Sequence, residues 1–116
     1  MYITHLGDID PRKIKSVGRP KVEIQTIEHL GKTYNTGKSI WIPIEIVIDA
    51  TTNAQEMNDK LIHMKDLRTL YVDLVEDNEI KESWIIGDPF VYCVSNINDE
   101  KELVVTINYN YALLLM

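Results

Sequence analysis

Apolar and polar residues alternate along most of the chain, as in strands that each bury one face. The alternation covers residues 22–26, 40–48, 70–74, 82–86 and 103–111. Because successive side chains of a strand point to opposite faces, a period of two places the apolar residues of each segment on one side. The pattern therefore predicts a mainly β protein, as a sandwich or an open barrel.

The strongest strand pattern lies at residues 39–49, SIWIPIEIVID, where isoleucine occupies every second position. The five isoleucines of 40–48 are predicted to share one buried face. Pro43 lacks an amide hydrogen, so the strand is expected to reach a sheet margin there, where another subunit can add on. Trp41 lies on the opposite face. It either packs within the chain or contacts another subunit, so Trp41 and Pro43 are candidate interface residues.

One short helix is predicted after this strand, flanking the sheets. Thr52 or Asn53 can cap it, and the apolar residues that follow have helical spacing: Ala54, Met57, Leu61 and Met64. Residues 70–86 predict a hairpin around the polar turn EDNE, followed by a kink at Gly87-Asp88-Pro89. Residues 103–111 predict one continuous final strand.

The C-terminal run ALLLM has apolar residues at every position. Such a run is an aggregation hazard when exposed, so it belongs either to the core or to a contact with a partner. The partner is the preferred interpretation, which makes candidate interface residues of Leu113, Leu114, Leu115 and Met116.

The first 21 residues are basic, whereas the rest of the chain is acidic. Pro11, Gly18 and Pro20 interrupt this stretch, so residues 1–21 are predicted as an extended arm and residues 22–116 as a single domain. The basic residues of this N-terminal arm are candidates for contact with a neighbouring subunit: Arg12, Lys13, Lys15, Arg19 and Lys21. A solvated tail is the alternative. From residue 22 onward, seven basic residues stand against sixteen acidic ones, which disfavours binding of nucleic acid by the domain.

Composition and motifs favour a non-catalytic protein. The 116 residues, 45% of them hydrophobic, suit one modest core, and no apolar stretch is long enough to span a membrane. His5, His29 and His63 form no metal-binding motif, the isolated glycines form no phosphate-binding loop, and the lone Cys93 is predicted to be buried. We therefore expect no catalytic, metal or cofactor site, and no small-molecule substrate.

The order of elements resembles the tail tube protein family of contractile-tailed phages and related injection systems, over about residues 22–112. Three segments carry the resemblance: TGKSIWIPIEIVI, the helix that follows, and the series ESWIIGDPFVYCVSNIN to ELVVTINYNYA. The chain departs from the family at its N-terminus, where the family has a strand pair and a long loop before the region that matches residue 22.

The resemblance implies a self-assembling structural protein of a virion tail, made in the host cytoplasm. Its hexameric rings would stack into a tube with a continuous β-sheet as inner wall, through which DNA passes without specific binding. Sheath, baseplate and tail terminator proteins would be its partners. Two alternatives stay open. One is a related tube-fold part, such as a baseplate tube initiator or a tail terminator, and the other is a monomeric β-barrel that binds a small ligand.

Overall fold

A computed structural model describes residues 1–6, 9–51, 54–62, 70–97 and 101–115 of the chain. One helix, α1, spans Ala54–Ile62, and a 3-10 turn spans Pro11–Lys13. The strands are β1 (Tyr2–Thr4), β2 (Ile14–Val17), β3 (Lys21–His29), β4 (Lys32–Ile42), β5 (Ile44–Asp49), β6 (Leu70–Glu76), β7 (Glu79–Gly87), β8 (Phe90–Ile97), β9 (Glu102–Asn108) and β10 (Tyr111–Leu114).

The strands of the described ranges form two antiparallel four-stranded sheets and a separate hairpin. The first sheet has the order β1-β6-β7-β10, and the second has the order β2-β5-β9-β8. The hairpin pairs β3 with β4 alone. In the described part of the chain neither four-stranded sheet closes on itself, so β1, β10, β2 and β8 are edge strands. The prediction of a mainly β fold with one flanking helix is confirmed.

The core contains three of the five alternating isoleucines. Ile44, Ile46 and Ile48 are buried in β5, but Ile40 is exposed and Ile42 is only half-buried. The prediction of one strand with a common buried face was therefore wrong for Ile40 and Ile42. The reason is Pro43, which ends β4 and starts a new strand in a different sheet.

At two further corners the chain passes from one sheet to the other. Gly87-Asp88-Pro89 leads from β7 to β8, as the predicted kink does, and residues 109–110 lead from β9 back to β10. The corners lie side by side, because the Asn110 amide donates to the Gly87 carbonyl at 2.9 Å. The final segment is thus two strands in different sheets, not the single strand that was predicted.

Residues 1–6 and 9–20 are part of the fold, which corrects the prediction of an extended arm. β1 pairs with β6, and β2 pairs with β5. Apolar side chains of this segment are buried in the common core: Leu6, Ile9, Ile14 and Val17. These strands have three and four residues, too short to show a period in the sequence.

Helix α1 confirms the amphipathic pattern, with Met57 and Leu61 buried and contacts to β8 and β9. The predicted cap, Thr52 or Asn53, and Met64 lie outside the described residues. Cys93 was predicted to be buried and is exposed. A bulge between Val91 and Cys93 is the cause, because it lets Val91 and Val94 both face the core and turns Cys93 outward.

Candidate assembly surfaces

The hairpin of residues 21–42, called the projecting hairpin below, stands clear of both sheets. Every residue from 21 to 40 is exposed. Large apolar side chains are among them: Val22, Ile24, Ile27, Leu30, Tyr34 and Ile40, with Leu30 at the tip 88% exposed. An isolated two-stranded hairpin is at best marginally stable in water. Apolar side chains on such an element are therefore suited to contact with another chain.

The register of the hairpin shifts halfway along. Ile24 pairs with Ser39, but Thr26 pairs with Asn35, so β4 carries a bulge at residues 36–38. Gly37 has a φ of 79°, which favours glycine, and its amide donates to the Asn35 side chain at 2.7 Å. The chain turns at residues 30–31, and Gly37 bends β4 in its middle.

Tyr109 fastens the base of the projecting hairpin to the body. Its hydroxyl donates to the Ile42 carbonyl at 2.6 Å and accepts from the Lys21 amide at 3.5 Å, so it reaches both ends of the hairpin. Burial raises the pKa of this phenol above its ordinary value, so it keeps its proton. The Trp41 ring lies 5.8 Å from the Tyr109 ring, centroid to centroid. Trp41 is half-buried by this packing, whereas Pro43 is exposed.

Glu82 makes a second connection between the N-terminal segment and β7. Its carboxylate accepts hydrogen bonds from the Trp84 indole, from Arg19 Nε at 3.2 Å and from the Tyr2 hydroxyl at 3.3 Å. The Arg19 guanidinium also lies over the Trp84 ring, 5.9 Å from its centroid. The Trp84 hydrogen bond, followed by the charge of Arg19, holds the pKa of Glu82 below its ordinary value.

Four of the five basic residues predicted to reach a neighbouring subunit have acidic partners on their own chain. The ion pairs are Arg12 with Asp10 at 3.1 Å, Lys15 with Glu102 at 3.1 Å, Arg19 with Glu82 at 3.2 Å and Lys21 with Glu23 at 2.8 Å. Lys13 is half-buried. A contact between these side chains and a second copy would have to replace or share these pairs. Their place in an interface stays a prediction.

The C-terminal strand carries an exposed apolar face. β10 pairs with β7, Leu113 with Ile85, and Tyr71 on β6 pairs with Ile85 from the other side. Tyr71, Ile85 and Leu113 thus form a row across three strands on one face, and Leu113, Leu114 and Leu115 are 55–56% exposed. Met116 lies outside the described residues. This row, together with Leu115, is called the outer-face patch below.

One cavity and the search for a metal centre bear on small-molecule chemistry in the described part of the chain. A cavity of about 120 Å³ lies between β1 and the Pro11 turn. Sites for drug-sized ligands start at about 300 Å³. Among the described residues, no group of three or more His, Cys, Asp or Glu is placed to hold a metal ion. The helix that the structure describes is not long and apolar enough to cross a membrane.

The fold is similar to that in a crystal structure of Hcp protein. The TM-score is 0.59 at 15% sequence identity, and the match covers 87% of this chain and 68% of that chain. No protein-family model matches the chain, and no curated protein does either. At this identity the likeness shows the fold: two open sheets and one helix, in a tail-tube-like arrangement.

Proposed function

We propose that this chain is a structural protein without catalytic activity that self-assembles into rings and that the rings stack into a tube. The observation that carries the proposal is the projecting hairpin, where every residue from 21 to 40 is exposed and six of them are large and apolar. A hairpin of this kind is at best marginally stable beyond its base, and a partner that covers its apolar side chains would stabilise it. The tail-tube-like fold supports a further copy of the chain as that partner.

The free edges of the two sheets supply a second means of association. β10 and β8 each pair on one side only in the described part of the chain, and unpaired strand edges accept another strand through backbone hydrogen bonds. Pairing of edges from copy to copy would close a ring whose wall is a continuous sheet. The outer-face patch beside β10 would then be covered by the neighbouring copy.

The finer role that we propose is a tube of the phage-tail or injection-system type, in a virion tail in the first case. Hexameric rings, and sheath, baseplate and terminator partners, belong to this proposal. The net charge of −6 supports a channel through which DNA slides, since like charge prevents tight contacts with phosphate.

Sizing of the purified protein by chromatography with light scattering, over a hundredfold range of concentration, tests the proposal. We expect a ring or a polymer, and a strict monomer at every concentration would contradict it. A shortened variant tests the role of the hairpin. In it, residues 25–38 are replaced by a two-residue Asn-Gly turn between Ile24 and Ser39, which are paired across the hairpin. This shortened variant should keep the melting temperature of the parent within a few degrees and lose most of its assembly.

A second variant tests the outer-face patch. Serine at Leu113 and Leu115 leaves the backbone of β10 paired with β7, so the fold should persist while association weakens. Serine at Glu79 and Lys81, an exposed pair on β7, is the control and should change neither. Equal assembly of the patch variant and the control would exclude the patch from the interface.

A further inference from the structure

The projecting hairpin has separate apolar patches on its two faces. Paired residues of a hairpin point to the same face, and neighbours along a strand point to opposite faces. Val22 pairs with Trp41 and Ile24 lies two residues on, which places all three on one face. Ile27 pairs with Tyr34 and lies an odd number of residues from Ile24, which places this pair on the other face.

Both patches are open to solvent in the single chain. The first consists of Val22 and Ile24, which are 44% and 56% exposed, since Trp41 packs against Tyr109. The second consists of Ile27 and Tyr34, which are 56% and 47% exposed. A strand that lies on one surface has one apolar face and one polar face. The projecting hairpin does not follow this pattern, because β3 changes its apolar face between residues 24 and 27.

From this pattern we infer that the projecting hairpin is held between two other copies of the chain, each covering one face. One surface of a single partner lies against one face of a hairpin and leaves the patch on the other face in water. This inference rests on the proposed function and adds to it the way in which the copies meet. Each copy contributes one hairpin and receives contacts on it from two neighbours.

Charge favours a second copy as the occupant on both sides. The hairpin carries three lysines against two glutamates, while the rest of the chain carries nine basic against sixteen acidic residues. A slightly basic element therefore meets a strongly acidic body when copies associate. The Tyr109 hydroxyl holds both ends of the hairpin, so the hairpin meets its neighbours at a set angle to the body.

The test compares two variants that each change one face. The first has Val22→Ser with Ile24→Ser, and the second has Ile27→Ser with Tyr34→Ser. Thr26→Ser with Thr33→Ser is the matched control, because it changes two exposed hairpin positions and removes no large apolar side chain. Circular dichroism and thermal melting verify that each monomer is folded, and light scattering gives the concentration at which assembly begins.

We expect each face variant to raise that concentration by about tenfold or more, and the control to change it by less than about threefold. If one face variant assembles like the parent, the hairpin is covered on one side only and the inference is wrong, although the proposed function stands. If the parent itself remains monomeric, both fail. If both variants assemble like the parent, the hairpin lies outside the interface. The inference is then wrong, and the exposed apolar hairpin no longer supports the proposed function.

Discussion

Tyr109→Phe removes one hydroxyl from the base of the projecting hairpin and leaves the ring that packs on Trp41. The lost interaction is the 2.6 Å hydrogen bond to the Ile42 carbonyl, with the longer contact to the Lys21 amide. A net hydrogen bond of this kind contributes about 1 kcal/mol, and water can reach the half-buried Ile42, so a larger penalty is not expected. For a domain of this size, about 1 kcal/mol lowers the melting temperature by about 4 °C.

Urea unfolding measures this change, with Tyr92→Phe as the control, since Tyr92 is an exposed tyrosine on β8. Hydrogen exchange should show faster exchange of the amides of β3 and β4 in the Tyr109 variant and unchanged exchange in β5 and β9. Assembly should begin at a several-fold higher concentration, because a loosely held hairpin loses more entropy on docking. If the two variants match in stability and in hairpin exchange, the hydroxyl does not hold the hairpin.

Three further changes test the fold. Ile44→Asp buries an unpaired charge and should cost about 4 kcal/mol or more in urea unfolding, whereas Glu45→Asp should be within about 0.5 kcal/mol of the parent; a stable Ile44 variant would remove this residue from the core. Gly87→Ala places a Cβ against the Tyr111 ring and should cost about 1–3 kcal/mol, which Tyr111→Ala in the same chain should largely restore; strictly additive losses would contradict this contact. The pKa of Glu82 is lowered in the fold, so the ionised carboxylate contributes to the free energy of unfolding at neutral pH, and this contribution is lost as pH falls through that pKa. The difference in free energy of unfolding between the parent and Glu82→Gln should therefore shrink in acid. A difference that stays constant with pH would contradict the stabilising role of the Glu82 carboxylate.

Alternation predicted most strands but not the sheet to which each belongs. The period of two continues unbroken across Pro43 and across residues 109–110, so the sequence pattern is the same for one long strand and for two strands in different sheets. The sheet is decided by distant pairing: β5 pairs with β9, while β10 pairs with β7. The hairpin of β6 and β7 was predicted correctly because its pairing is local and its turn chemistry is explicit.

The buried N-terminal strands and the exposed Cys93 show two other limits. β1 and β2 are placed by partners about thirty or more residues away in the sequence, which no local pattern reveals. A single bulge in β8 reverses the faces of the residues beyond it, so Cys93 points outward although it lies in an apolar run.

The candidate interface residues named from the sequence stay predictions. The exposure of Leu113, Leu114 and Leu115 agrees with the choice of a partner over the core, but the contact itself stays a prediction. The projecting hairpin was not singled out, since Val22 and Ile24 alternate like any strand with a buried face. The sequence did contain a signal for the exposed hairpin: Ile27 lies on the face of β3 opposite to Val22 and Ile24, so this strand is apolar on both sides.

Electron microscopy of the purified protein, negatively stained at concentrations above the onset of assembly, tests the central claim most directly. The account predicts closed rings of one diameter that stack along a common axis into tubes, and single particles or open fragments for the variant with the shortened hairpin. A parent protein that shows only isolated particles of about the size of one chain, 50 × 34 × 26 Å, would contradict it.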